Sequence, residues 1–432
     1  MIKFLTEPYF TERNLSQQQL QRNATSRKRK LKRKEELTRI DSGIFTNEQT
    51  DINELCDEIL MEISMEGHVG TLQFDSRDVI TAAGGVTQLG VFCRAEGVER
   101  LELRLSITHD GYQFPSMETL RSHCSFPFRL LRSLRLVYVS IEDEVVRYLL
   151  GSCPNLKELC IWSSVATKEL RVVDPPSLRF LEVKRCPYIE ILEISCESLA
   201  SLAFVGSEKW GLKKVPNLRE LTIGSGSFLH FISEPNTSSY SDQLVKLVVD
   251  LLILSSSIQL ARLPDWLPQF MSLIRLELLV SSAVDRSLLF FTWMIKASPH
   301  LREFRIEMTY CGFEWPEYGK RMVFPAMSRE EAVKFDHRNL EVVELWGHVG
   351  FSSEKDLLLE LLSNASSIKR IFIDTRSEYY HNPIFVSYFE ERGGNPFSYE
   401  HDFCAATSRA ESKAHAKHLV SALPCHVKLI VS

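Results

Sequence analysis

The stretch Leu150-Gly-Ser-Cys-Pro-Asn-Leu-Lys-Glu-Leu-Cys-Ile161 holds the pattern that decides the fold: an apolar-x-x-apolar-x-apolar phrase at Leu156, Leu159 and Ile161, introduced by Pro-Asn. On its N-terminal side the phrase returns at Val98-Leu101-Leu103 and Leu131-Leu134-Leu136. On its C-terminal side it recurs at Leu178-Leu181-Val183, Ile189-Leu192-Ile194, Leu199-Leu202-Phe204, Leu218-Leu221-Ile223 and Leu244-Leu247-Val249. The last copies are Leu273-Leu276-Leu278, Leu301-Phe304-Ile306, Leu340-Val343-Leu345 and Ile368-Ile371-Ile373. Twelve copies are too many for chance. Their spacing is near 20–25 residues from 131 to 218, with one short turn, and about 26–39 beyond 244. This is the leucine-rich-repeat signature, one strand and one return segment per turn.

The fold class follows from the phrase. Alternation at its centre gives a short strand with the leucines on one face, and no single repeat can bury that face alone. Neighbours must stack, so the expectation is an α/β leucine-rich-repeat solenoid, a horseshoe, from Val98 to about Asp374, with the remaining residues packed on its end. Leu134, Leu159, Leu181, Leu221 and Leu276 are expected at equivalent buried sites. Several return segments read as helices. Ile141, Val145 and Leu149 recur at helical spacing, with Ser140 as the cap and Gly151 and Pro154 at the end. Ser287–Ala297 and Glu354–Leu362 repeat that plan.

The residue between the last two apolar positions faces outward. These residues are Arg135, Cys160, Glu182, Glu193, Ala203, Thr222, Val248, Glu277, Arg305, Glu344 and Phe372. Trp162 and Trp346 come immediately after, and tryptophan is enriched where partners dock. A partner-binding face is therefore expected at Arg135, Trp162, Glu182, Glu277, Arg305, Glu344 and Trp346. The alternative is that both tryptophans pack between repeats.

The bulk properties agree with a globular protein. The chain has 432 residues, 44% apolar and 25% charged, with a net charge of −5. No apolar run reaches the roughly 18 residues of a membrane span, and the first residues lack the apolar core of a secretory signal. Ten cysteines without a CxxC pair fit a reducing compartment, where cysteine packs as a small apolar residue. Charge is concentrated in one place. Arg27, Lys28, Arg29, Lys30, Lys32, Arg33 and Lys34 place seven cations in eight residues. Such a block stays solvated. It reads as a nuclear-import signal or as a plain solvated flank, which puts the protein in nucleus and cytoplasm. It offers phosphate neutralisation without base readout, so no nucleic-acid partner is expected.

Catalytic and cofactor signals are thin. The chain has no GxxxxGK[ST], HExxH or GxSxG. Gly224-Ser-Gly-Ser227 lacks the basic residue and following helix of a phosphate loop, and reads as an inter-repeat turn. His401, Cys404, His415 and His418 have near-metal spacing, but His415 and His418 fall on Ser412–Ala422, which reads as an amphipathic helix carrying Ala414, Leu419 and Val420. No cofactor, metal or enzymatic activity is expected.

Longer phrases carry a resemblance. His337-Arg-Asn-Leu-Glu-Val-Val-Glu-Leu-Trp-Gly-His-Val-Gly-Phe351, then Glu354-Lys-Asp-Leu-Leu-Leu-Glu-Leu-Leu362 and Ala365-Ser-Ser-Ile-Lys-Arg-Ile-Phe-Ile-Asp374, resemble the C-terminal FBD region of plant F-box proteins with leucine-rich repeats. Arg409–Leu423 and Pro424–Val431 are similar to that family's closing helix and strand. Asp51-Ile-Asn-Glu-Leu-Cys-Asp-Glu-Ile-Leu-Met-Glu-Ile63 resembles the opening helix of an F-box, with Cys56 where proline is usual. The later helices of the box are missing, since Leu72-Gln-Phe-Asp-Ser76 already resembles the segment beyond it.

The resemblance implies a plan of 1–50 basic leader, 51–67 partial F-box-like helix, 68–97 linker or N-terminal cap, 98–336 repeats and 337–432 FBD-like repeats and cap. It also implies a substrate-recruiting subunit of a cullin-type ubiquitin ligase. A Skp-type adaptor would then be held by Leu55, Ile59, Leu60 and Ile63, and an unidentified protein substrate by the repeats. The same apolar face of that helix would equally cap the first repeat. In that case the chain is a stand-alone leucine-rich-repeat binding protein.

Overall fold

Each of the twelve phrases centres on a short strand. The computed structural model describes residues 71–74, 99–104, 113–123, 129–206, 209–233, 238–251, 268–282, 287–310, 327–376 and 409–432. All of these belong to one unit, Cys56–Ser432. The expected adaptor contacts at Leu55, Ile59, Leu60 and Ile63, the basic run Arg27–Lys34, and His401 and Cys404 lie outside the described residues.

The strands are β1 (Thr71–Phe74), β2 (Arg100–Arg104), β3 (Ser133–Val137), β4 (Glu158–Trp162), β5 (Glu169–Val173), β6 (Phe180–Lys184), β7 (Ile191–Ser195) and β8 (Ser201–Val205). They continue as β9 (Trp210–Lys213), β10 (Glu220–Gly224), β11 (Lys246–Leu251), β12 (Arg275–Ser282), β13 (Glu303–Tyr310), β14 (Val342–Trp346), β15 (Arg370–Asp374) and β16 (Lys428–Val431). Thirteen form one parallel sheet in the order β1-β2-β3-β4-β6-β8-β10-β11-β12-β13-β14-β15-β16, and β5-β7-β9 form a second. The large sheet therefore takes in Thr71–Phe74, within the stretch expected as a linker, and Lys428–Val431 beyond Asp374.

The inward leucines stand in one register, Leu134 against Leu159, Leu159 against Leu181, and Leu247 against Leu276. Leu134, Leu159, Leu181 and Leu276 are fully buried and Leu221 is 1% exposed. Each such burial stabilises by about 1.5–3 kcal/mol, and stacking is what supplies it.

One phrase belongs elsewhere. Ile189-Leu192-Ile194 forms β7, which pairs with β5 and β9 in the small sheet and not with the large one. Glu193 therefore leaves the outward row in which the sequence placed it. The short spacing around 189 has this cause: between residues 158 and 213 each repeat contributes two strands, one per sheet.

Return length decides what the second element is. Helix α1 (Met117–His123) lies between β2 and β3. The return from β3 to β4 spans 138–157, 20 residues, and holds helix α2 (Asp143–Ser152). Those of 17, 16 and 14 residues, at 163–179, 185–200 and 206–219, hold β5, β7 and β9. A ten-residue helix covers about 15 Å and a five-residue strand about 16 Å, so a shorter return spans the same layer only when extended. Where returns lengthen again, helices come back as α3 (Ser225–Ser233) with α4 (Ser238–Ser241), α5 (Thr292–Lys296) and α6 (Ser352–Asn364). Near the end comes α7 (Arg409–His418).

Three local expectations change. Ser140 does not cap α2; the N-cap is Glu142 without a side-chain bond, and Ser140 instead accepts the Val165 N–H at 3.4 Å. The Asp143 carboxylate, in the first turn, accepts the N–H groups of Lys168 and Glu169 leading into β5. Gly224-Ser-Gly-Ser227 is no plain turn, since α3 begins at Ser225 directly after β10. The helix expected over Ser412–Ala422 is α7 followed by a 3-10 turn at Leu419–Ala422. In α7 the inward side chains are Ser412 and Ala416 and Ala414 is exposed, as is Val420 in the turn.

The Pro-Asn signature also gains a reason. The side-chain amides of Asn155, Asn217 and Asn339 donate to the carbonyls of Arg129, Glu197 and Pro299, each in the turn of the preceding phrase. Repeats without asparagine use Ser198, Gln243 and Ser367 at the same position, donating to Leu178, Val215 and Leu340. His337 joins in: its Nδ1 accepts the Leu340 N–H at 3.1 Å, so the ring proton sits on Nε2 and is donated to Ser298 O at 2.8 Å.

Candidate protein-binding face

The register of the large sheet carries the outward residues into one row. Arg135 pairs with Cys160, Cys160 with Glu182, and the row continues through Ala203, Thr222, Val248, Glu277, Arg305, Glu344 and Phe372. Two residues further along each strand a second outward row holds Trp162, Lys184, Glu307, Trp346 and Asp374. Trp162 and Trp346 are thus the last residues of β4 and β14, on the outward side, and both are half-buried.

The N-terminal part of the face is smooth. Cys160, Ala203 and Val248 are small and buried. Burial pushes the Cys160 thiol up to about 12, helped by Glu182 and opposed by Arg135, so it stays an inert thiol. Lys184 bonds Glu182 at 2.7 Å and lies 5.5 Å above the Trp162 ring. The Trp162 Nε1 is buried without a hydrogen-bond partner among the described residues. Strands are left here through positive φ at Tyr138, Ser163 and Arg185, whose N–H groups bond Trp162 O, Lys184 O and Val205 O. These bonds fix the rim beside Trp162.

The C-terminal part is charged and aromatic. Arg275 bridges Glu277 at 2.6 Å and Glu303 at 2.8 Å, and Lys246 reaches Glu277 at 3.0 Å. Burial alone would raise the Glu277 carboxyl, but bonds from Lys246 and Arg275 outweigh it and hold it below the ordinary value. On β13, Arg305 pairs with Glu307 at 3.1 Å and lies 4.4 Å over the Trp346 ring. Trp346 meets Phe372 at 5.4 Å and donates its Nε1–H to Glu344 at 3.3 Å. Asp374 is fully buried and held by Arg376 at 2.7 Å. A cation on an aromatic face of this kind contributes about 0.5–2 kcal/mol and orders both side chains.

Gly347 explains how the rim is built. Its φ is +71°, and a Cβ there would collide with Met308 O, so the chain leaving β14 runs against β13 without room for a side chain.

The expected face residues thus divide. Glu277, Arg305, Glu344 and Trp346 come together on β12–β14, whereas Arg135, Trp162 and Glu182 gather on β3–β6. Phe372, Glu307 and Arg376 complete the C-terminal cluster. The sequence reading named Phe372 in the outward row without singling it out; of the second outward row it took only the two tryptophans and so missed Glu307, and Arg376 lies beyond the end of β15. Among the described residues no group of three or more His, Cys, Asp or Glu is placed to hold a metal ion.

Residues 95–432 match the family described as the At1g61320/AtMIF1 LRR domain, and no F-box or FBD match accompanies it. No curated protein matches the chain.

Proposed function

Because the chain belongs to the At1g61320/AtMIF1 LRR-domain family, we propose that it is a non-catalytic protein-interaction scaffold presenting a protein partner along the outward face of its large sheet. The observation that carries this reading is the partly buried stack of Arg305, Trp346 and Phe372 on the outward face. Arginine and tryptophan held rigid at the centre of a polar surface are what binding hot spots are made of. The test is chemical cross-linking of a tagged chain in extract, compared with Arg305→Glu and Trp346→Ala. At least a tenfold loss of captured partner, with the fold intact, supports the reading. If Trp346→Ala lowers the melting temperature while the folded fraction captures as before, the tryptophan is a packing residue.

In its finer form the scaffold recruits a substrate to a cullin-type ubiquitin ligase, with a Skp-type adaptor held by Leu55, Ile59, Leu60 and Ile63. The Asp51–Ile63 phrase and the FBD-like phrase from His337 favour this reading. The stand-alone alternative is favoured by the brevity of the box-like stretch, since a stable interface buries about 1,200–2,000 Å² and one helix offers only part of it. Titration of purified adaptor separates the two readings. Sub-micromolar binding supports ligase coupling, and restoration only after a complete F-box is grafted at Asp51–Gly67 supports the alternative. Nuclear import by Arg27–Lys34 belongs to the same proposal. Replacing Lys28, Arg29, Lys32 and Arg33 with alanine is expected to shift a fluorescent fusion from nucleus to cytoplasm, and a fusion already excluded from the nucleus would refute it.

A further inference from the structure

Among the described residues four carboxylates on the C-terminal part of the face have a cation partner, and Glu344 has none. Glu277 has Lys246 and Arg275, Glu303 has Arg275, Glu307 has Arg305 and Asp374 has Arg376. Among the described residues the one hydrogen-bond or ion-pair partner of the Glu344 carboxylate is the Trp346 Nε1–H at 3.3 Å. Arg275 feels the Glu344 charge at a distance, but its guanidinium is committed to Glu277 and Glu303. Arg305, the register neighbour on one side, is turned onto Glu307 and the Trp346 ring. On the other side the register neighbour is Phe372, half-buried, followed on β16 by the exposed Ile430.

We propose that Glu344 and Phe372 form a subsite for an arginine side chain carried by an extended segment of the protein partner. The inference rests on the reading of this face as the protein-binding one and names the chemistry that it takes. Charge complementarity sets the sign, because a half-buried carboxylate bound only to a neutral N–H gains most from a cation. The neighbouring ring favours arginine over lysine, since a planar guanidinium bonds a carboxylate and stacks on an aromatic face at once. Ile430 then supports an apolar residue beside that arginine. The same negative charge disfavours a phosphate backbone.

The probe is N-acetyl-arginine methylamide, titrated into the full chain while the indole N–H signals of its 6 tryptophans are followed by NMR. Trp346→Phe identifies the Trp346 signal, which reports on Glu344 through their hydrogen bond. The expected result is a saturable shift of that signal with affinity on the order of 1–10 mM, as for a single charge-assisted contact. The lysine analogue is expected to bind more weakly, and the citrulline analogue and the isosteric Glu344→Gln variant at least tenfold more weakly. Phe372→Leu, which keeps the charge, is expected to reduce the arginine response toward that of lysine. An unmoved Trp346 signal, an equal response to citrulline, or an unchanged response in Glu344→Gln overturns the proposal. If any of these occurs while the folded chain still loses its cross-linked partner on Arg305→Glu, the binding-face reading stands and only the arginine subsite falls.

Discussion

The large sheet and the small sheet both bury alternate apolar side chains, yet they present different outer surfaces. Leu159 on β4 and Leu192 on β7 are both fully buried, so the inward half of the phrase works identically in the two. The outward halves diverge. The large sheet carries the linked chain Lys246, Glu277, Arg275 and Glu303 and the Arg305–Trp346 stack. The small sheet carries Arg171 between Glu169 and Glu193, at 3.5 and 3.6 Å and half exposed. A packed interior asks only for apolar volume at alternate positions. The outer face is free to differ, and the linked ion pairs and the cation–aromatic stack gather on the sheet with more strands.

If the two interiors are equivalent, Leu159→Ala and Leu192→Ala should each cost about 2–5 kcal/mol, because both leave a cavity in a filled core. Urea unfolding of the two variants measures this. A cost below about 1 kcal/mol for Leu192→Ala would mean that the small sheet is a loose veneer.

A smaller contrast is expected between two glycines. Gly347→Ala forces a side chain into positive φ and onto Met308 O, so a loss of about 2 kcal/mol or more is expected. Gly211, on β9, has nothing within 4 Å of a Cβ, so Gly211→Ala should be neutral or stabilise by up to about 1 kcal/mol. Thermal melting of both variants sharpens the comparison.

The charged outer face of the large sheet gives a pH signature. The Glu277 carboxyl is held below its unfolded value, so it contributes stability above the unfolded value of about 4.3 and loses it as pH falls through the folded value. The stability difference between wild type and Glu277→Gln should therefore shrink between about pH 5 and pH 3. A difference that is constant across that window would show that the carboxylate charge contributes nothing.

The smallest effect belongs to Arg171→Ala. Its pairs with Glu169 and Glu193 are exposed, so a cost under about 1 kcal/mol is expected, vanishing in about 1 M salt. A larger, salt-independent cost would place the small sheet's outer face in the same class as that of the large one.

Much of this was legible in the sequence, for a reason visible in particular residues. Leu134, Leu159 and Leu276 alternate with Arg135, Cys160 and Glu277, and a pleated strand turns that alternation into inside and outside without further information. The return helices near 143–152 and 352–364 were legible from helical spacing for the same kind of reason. The inter-repeat bridges made by Ser198, Gln243 and Ser367 were not, because serine and glutamine in a turn look like ordinary polar filler until the carbonyl of the preceding turn is in place. Nor was the cap of α2, where Ser140 and Asp143 compete for nearby N–H groups and only packing against β5 decides.

By itself the sequence determined that this chain makes stacked parallel strands with leucines inward and a row of polar and aromatic residues outward. That outcome is local, because the period of the phrase and the two-residue pleat settle it within each repeat. Tertiary structure alone decided that Ile189–Ile194 joins the small sheet, since that depends on the distance a 16-residue return must cover. It alone set Arg305 on Trp346, and left Glu344 with an indole N–H in place of a cation. Arg305 and Trp346 lie on different repeats, so their meeting depends on where the intervening chain returns the next strand. Glu344 and Trp346 share β14, but a cation for Glu344 would have to come from a neighbouring strand, and no spacing within one phrase encodes that.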